Sequence, residues 1–202
     1  MLVCTAEEKK LIRSLTTPAK VQDFLNSIPF NFEQNRVDTA KSPIRVLRER
    51  NAHCIEGALL GAYIFSQHGR QPLLIDLKTI KGDFEHVISP FESHGFWGAL
   101  SKTNHAVLRY REPVYKTVRE LVLSYFHEYF LSDGRKTLRS YSQPLNLNQF
   151  GTTWPMREDD LWDIDAKLTS VRHYDIAPAA IIKNLRHAEP IEIEAGKIVE
   201  WN

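Results

Sequence analysis

Cysteine is scarce in this sequence: 202 residues carry only Cys4 and Cys54. Two thiols so far apart make neither a disulfide framework nor a zinc-ligand set. They suit a reducing compartment, so a cytoplasmic location is the expectation. Charge of one sign is lacking as well. Twenty-six Lys and Arg face twenty-five Asp and Glu, a formal net charge of +1, so nucleic acid and membrane are not expected partners. No apolar run approaches the length of about eighteen residues that a bilayer demands. The opening "MLVCTAEEKK" lacks the basic and apolar regions of a signal peptide. Repeats and low-complexity tracts are absent too. What is left is ordinary globular composition, 43% hydrophobic and 25% charged, which suits a single domain over 1–202.

Helix-start signals dominate the first quarter. Thr5 with Glu8 has capping-box spacing and predicts a helix to about Leu15. Thr17-Pro18 and Ser42-Pro43 predict two more, over "PAKVQDFLNSI" and "PIRVLRER". Asn51 is read as the N-cap of a fourth helix, "AHCIEGALLGAYIF", which Gly69 closes after His68. Gly57 and Gly61 lie inside it, four apart, which implies close packing against another element.

The texture then turns to short β-rich runs. "PLLIDLKTI" (72–80), "EHVISPF" (85–91), "WGALSKT" (97–103) and "AVLRYR" (106–111) read as successive strands, with "ESHGF" as a hairpin connection. Val114 to about Leu131 reads as an amphipathic helix that stops at Gly134. Further on, "QPLNLNQFGTTWPM" reads as a loop, "APAAIIKNL" as a short helix and "IEIEAGKIVEW" as a terminal β-hairpin around Ala195-Gly196. Helices first, an antiparallel sheet, then a helix with a C-terminal wrap amount to an α+β fold.

With Asn51 as cap, Cys54 falls in the first turn of its helix. Partial positive charge and unpaired N–H groups there favour thiolate over thiol, and thiolate is the nucleophile. A base is then required. His86 is preferred because a strand fixes an imidazole where it can face a helix terminus, and His105 comes second. His53 is set aside, since adjacent helical residues diverge by roughly 100°. The remaining histidines, His68, His94, His127, His173 and His187, read as helix-end, turn or surface positions. No aspartate occurs between Val87 and Ser132 to orient the imidazole, which leaves Asn104 or Ser101 for that part.

Cysteine at a helix start, histidine on one strand and a polar residue on the next resemble the core of the transglutaminase-like superfamily, within the papain-like cysteine-enzyme fold. "AHCIEGALLGAYIFSQHGRQPLLIDL" resembles that family's nucleophile, packing helix and following strand. "DFEHVISPFESHGFWGALSKTN" resembles its histidine strand and tryptophan-led strand. "WGALSKTNHAVLRYREPVY" and "SYFHEYFL" resemble a bacterial branch of transglutaminase-like proteins. The similarity to the superfamily core covers about residues 45–112, and the family's usual aspartate is missing from it. The resemblance implies a cysteine-dependent amide or peptide hydrolase, or an acyl transferase, that needs no cofactor. Its substrate would be a peptide, a protein or a small amide, and Trp97 would flank the site. A non-catalytic peptide- or protein-binding member of the same fold is the alternative.

Plainer readings stand beside these. A free cysteine is commonly a buried apolar side chain, which is how Cys4 is read. The histidines His53, His86 and His105 with Cys54 could be imagined as metal ligands, but none of those histidines has close i, i+4 spacing to another, so no metal is expected. The basic stretches "GRKTLRSYS" and "RYREPVYKTVRE" are read as solvated faces.

Overall fold

Residues 1–33 and 37–200 are described by the computed structural model. They form eight α-helices and one antiparallel sheet of seven strands, an α+β arrangement. Helix α1 (Ala6–Ser14) opens on the expected box: the Thr5 hydroxyl accepts from Glu8 N–H at 3.2 Å and the Glu8 carboxylate from Thr5 N–H at 2.7 Å. Helix α2 (Pro18–Ser27) has Thr17 as cap and α3 (Pro43–Glu49) has proline in its first turn. These helices cover α4 (Cys54–Gln67), in which every residue from Ile55 to Phe65 is buried. A helix buried on all sides needs neighbours that approach closely, and the two glycines supply the room. A Cβ on Gly57 would stand 2.4 Å from Lys102 Cβ, and one on Gly61 2.5 Å from Leu100 Cδ1.

The sheet runs β4-β3-β2-β1-β5-β7. Its members are β1 (Leu73–Thr79), β2 (His86–Ser93), β3 (Phe96–Leu100), β4 (Arg111–Tyr115), β5 (Leu138–Ser142) and β7 (His173–Asp175). A short β6 (Leu145–Asn146) also pairs with β1. Strands β2 and β3 join through His94 and Gly95, both at positive φ (52° and 80°), the two-residue turn that suits the twist of a hairpin. Alternation along β1 sends Leu74 to the core shared with α1–α4, and Ile75 and Leu77 to a second core on the other face. Helix α5 (Val118–Leu123) supplies that second core with Leu121 and Val122. Helix α6 (Trp162–Ser170) returns to the first through Ile164 and Leu168. Helices α7 (Ala179–Ile182) and α8 (Pro190–Gly196) follow.

Three expectations are corrected. The run 106–110 is not a strand; pairing resumes only at Arg111, opposite Ala99. Pro113 lies within β4, which tolerates it because β4 is the sheet edge and its outer N–H groups have no ladder to complete. The long helix from Val114 is shorter. Tyr115 still pairs with Trp97, Thr117 caps α5 by accepting from Glu120 N–H at 3.1 Å, and Phe126–Glu128 is a separate 3₁₀ turn. The terminal hairpin is helix α8 instead: Pro190 stands in its first turn and Glu189 N–H donates to the Glu192 carboxylate at 2.7 Å. The alternating "IEIE" suggested a strand, but its isoleucines pack no sheet; Ile191 is 75% exposed. Trp201, the last residue of that reading, lies outside the described residues.

The basic stretches are laced into the fold. Arg111 meets Glu128 at 2.6 Å and lies over the Tyr125 ring at 4.0 Å, while Arg119 donates to the Ile176 carbonyl at 2.7 Å. Lys136 donates to the His127 carbonyl at 3.1 Å.

The close approach at Gly57 is open to a stability measurement. Gly57→Ala must displace Lys102, whose ammonium is anchored on the carbonyls of Leu25 (2.9 Å) and Ile28 (2.5 Å). Urea denaturation should show a loss of about 1–3 kcal/mol, against the gain that alanine gives an unconstrained helix. An unchanged or raised midpoint would mean that α4 does not need this contact.

Candidate active site

Cys54 is the first residue of α4, with His53 and not Asn51 as the N-cap. The shift has a local cause. Arg50 ends α3 in the left-handed region (φ 58°), and Ala52 is then held extended by a bridge to Phe30, donating to Pro29 C=O at 3.2 Å. Asn51 is turned towards the buried Lys41, whose ammonium donates to its side-chain oxygen and, at 3.1 Å, to its carbonyl. Helix geometry therefore begins only at Cys54. With Asn51 turned away, its side chain does not take up the Cys54 N–H, and among the described residues that N–H has no acceptor.

The extended cap residue has a second consequence. His53 has φ −97° and ψ −168°, so the 100° step between helical neighbours does not apply to it. Its ring folds back on the sulfur, with Nδ1 4.0 Å from Cys54 Sγ. The other nitrogen, Nε2, lies 2.8 Å from Thr39 C=O, 3.4 Å from a Glu33 oxygen and 3.6 Å from a Glu56 oxygen. Glu56 is fully buried and accepts from four donors: Asn31 Nδ2 (3.1 Å), the Thr39 hydroxyl (2.8 Å), Lys41 N–H (3.2 Å) and His53 N–H (3.0 Å). The last bond is the carboxylate half of a capping box. Sequence reasoning set His53 aside and passed over Glu56; a glutamate three residues after His53, at capping-box spacing, was the available signal.

His86 opens β2 and approaches from the other side. Its Nε2 is 2.7 Å from Ser101 Oγ, and that hydroxyl in turn donates to Leu108 C=O. Since a hydroxyl has one proton to give, Ser101 is an acceptor towards the ring. Nε2 therefore carries the hydrogen and Nδ1 is left for the sulfur. Ser101 is held by Gln22 of α2, which accepts from Ser101 N–H at 3.0 Å and donates to its carbonyl at 2.8 Å.

Of the residues expected from sequence, the structure brings together Cys54, His86 and Ser101. Asn104 is buried and its carbonyl accepts from Glu200 N–H at 2.7 Å, while Ser101 occupies the imidazole. His105 is exposed at the cavity wall. Trp97 packs half-buried with the core on the α5 face and does not line the cavity that holds Cys54. His173, read as a surface residue, is half-buried with Nε2 3.3 Å from Asp76. Among the described residues no group of three or more His, Cys, Asp or Glu could hold a metal ion.

That cavity has a volume of about 510 Å³, in the range of small-molecule and peptide side-chain sites. Cys54, His53 and His86 share its wall with Phe30, Phe84 and Tyr129. The two cysteines differ sharply in character. Cys4 is buried and its thiol is pushed up by desolvation. Burial works the same way on Cys54, but hydrogen bonds from His53 and His86, with their charges, outweigh it and bring the thiol down to about 5. Burial lowers His53, and the thiolate, the Glu56 charge and the Thr39 carbonyl more than compensate, lifting it to about 9.

No protein-family model matches the chain, and no curated protein shows significant sequence similarity to it. Among the described residues no helix is long and apolar enough to cross a membrane.

The electrostatics define a pH window. A thiol lowered to about 5 is thiolate above that value and reverts to thiol as the pH falls through it; an imidazolium raised to about 9 is lost as the pH rises through that value. Alkylation of native Cys54 by iodoacetamide should rise through pH 5, be close to maximal by pH 6, and leave Cys4 unlabelled until denaturation. A midpoint near ~8.5, the ordinary cysteine value, would contradict this.

Proposed function

We propose that this protein is a cysteine-dependent amide or peptide hydrolase, or acyl transferase, of transglutaminase-like character that works through a thioester. The observation that carries this reading is Cys54 at a helix start on the wall of a cavity, beside an imidazole whose far nitrogen is fixed by Ser101. The Cys54 thiolate attacks the carbonyl carbon of an amide, and the oxyanion accepts from the Cys54 N–H. The C–N bond then breaks, and the amine leaves with a proton from His86 Nδ1. In the second half, His86 takes a proton from water or an amine, which attacks the thioester; the C–S bond breaks and the thiolate returns. Water makes the enzyme a hydrolase and an amine makes it a transferase. A neutral hydroxyl in place of a carboxylate behind His86 stabilises the imidazolium less, and this feature supports the second reading, a binding member of the same fold. Two free thiols, one of them reactive, suit a cytoplasmic protein.

Intact-protein mass spectrometry after incubation with peptide amides, small amides and activated esters provides the test. The wild type should acquire one acyl adduct on Cys54, released by hydroxylamine, and Cys54→Ser and His86→Gln should acquire none. Ser101→Ala strands a buried ring N–H and should slow acylation about tenfold or more, since such a group costs about 1–3 kcal/mol. Donors that bind in the cavity without any acylation would favour the binding reading.

A further inference from the structure

We propose that standing charge and proton transfer are divided between two imidazoles: His53 is the permanent cation that holds Cys54 as a thiolate, and His86 exchanges protons with the substrate. The second half rests on the catalytic reading above; the first rests on the ring contacts of His53 and the charges around it.

The contacts of His53 fit donation from both of its ring nitrogens. Nε2 faces a carbonyl oxygen, Thr39 C=O at 2.8 Å, which can only accept. Nδ1 faces the Cys54 sulfur at 4.0 Å, which as a thiolate can also only accept. An imidazole donates from both nitrogens only as the imidazolium. The charges around it point the same way. Glu33, from the segment before α3, stands 3.4 Å away and Glu56, from α4, 3.6 Å. Asp165 of α6 also feels the His53 charge. The opposing cation is Lys41, which lies 3.3 Å from Glu49 and 3.7 Å from Glu56 and is bound to Asn51. His86, on β2, is the other titratable neighbour of the sulfur.

His86 is built differently. Its far nitrogen rests on the neutral Ser101 hydroxyl, and among the described residues no carboxylate lies within ion-pair distance of its ring. With a hydroxyl and not a carboxylate behind it, it is the imidazole that exchanges protons during turnover. In acylation the His86 imidazolium gives its Nδ1 proton to the departing amine. In deacylation neutral His86 receives one from the attacking water or amine. His53 keeps its proton through both halves, so the sulfur leaves the thioester as a thiolate whatever the state of His86. His53 is thus a positioning and charge-holding residue.

Thiolate absorbance in the ultraviolet, followed against pH, separates the two imidazoles. His53→Gln keeps a polar side chain but no charge, and should raise the Cys54 titration by about two pH units, the scale of one close opposite charge. His86→Gln should remain a thiolate at pH 7 while losing turnover. The reciprocal experiment uses the near-isosteric Cys54→Ser: the His53 ring, followed by NMR, should titrate at least about one unit below its wild-type position, because coupled groups shift each other. If His86→Gln abolishes the thiolate while His53→Gln titrates like the wild type, the assignment is wrong. Should His53→Gln fail to fold, an unchanged His53 titration in Cys54→Ser overturns it. Absence of acylation in the wild type would instead remove the catalytic reading and leave the charge assignment of His53 standing.

Discussion

Complete burial of α4 is the constraint on which the rest of the molecule depends. A helix that exposes no face along Ile55–Phe65 must be covered by α1, α2 and α3 on one side and by β1 and β2 on the other. Its glycines set how closely that cover can come, and the segment at Leu100–Lys102 fills the space they leave. The same contact delivers Ser101 to the neighbourhood of the helix start. Packing and chemistry are therefore coupled through a few residues: Gln22 clamps the Ser101 peptide, and Lys102 ties it to the last carbonyls of α2.

At the N-terminus of that helix the polar groups form a continuous chain. Glu56 gathers Asn31, Thr39 and Lys41 and holds the His53 backbone. On the other side, His86 leans on Ser101, and Ser101 on Leu108, whose N–H donates to Glu128 at 2.6 Å. Buried polar groups are stable only when satisfied, so each member specifies where the next must be. The sulfur lies between two imidazoles of different support, one backed by carboxylates and one by a hydroxyl. The hydrogen bonds and charges of both rings outweigh the desolvation which, acting alone, would keep the thiol protonated.

The elements legible in the sequence were those with a local cause. Thr5 with Glu8, Thr17-Pro18 and Pro43 start helices through contacts within one turn, and the His94-Gly95 hairpin follows from two positive φ values. The misread elements were those whose local pattern was outvoted. Residues 106–110 carry a strand-like pattern but have no partner strand, and Pro190 turned an alternating run into a helix. At the site, Cys54 and His86 could be picked out by type and spacing. The choice between Ser101 and Asn104 could not, because three residues along an irregular segment can point anywhere.

By itself the sequence determined the scarce thiol, the helix that would carry it, the strand that would carry an imidazole, and the absence of a nearby aspartate. Tertiary structure alone decided that Ala52 is pinned beside Phe30, that the helix therefore starts at Cys54, and that His53 consequently turns back on the sulfur. The physical reason is range. Capping and alternation act over a few residues, whereas the backbone angles of His53 are set by a bridge to a residue more than twenty positions away.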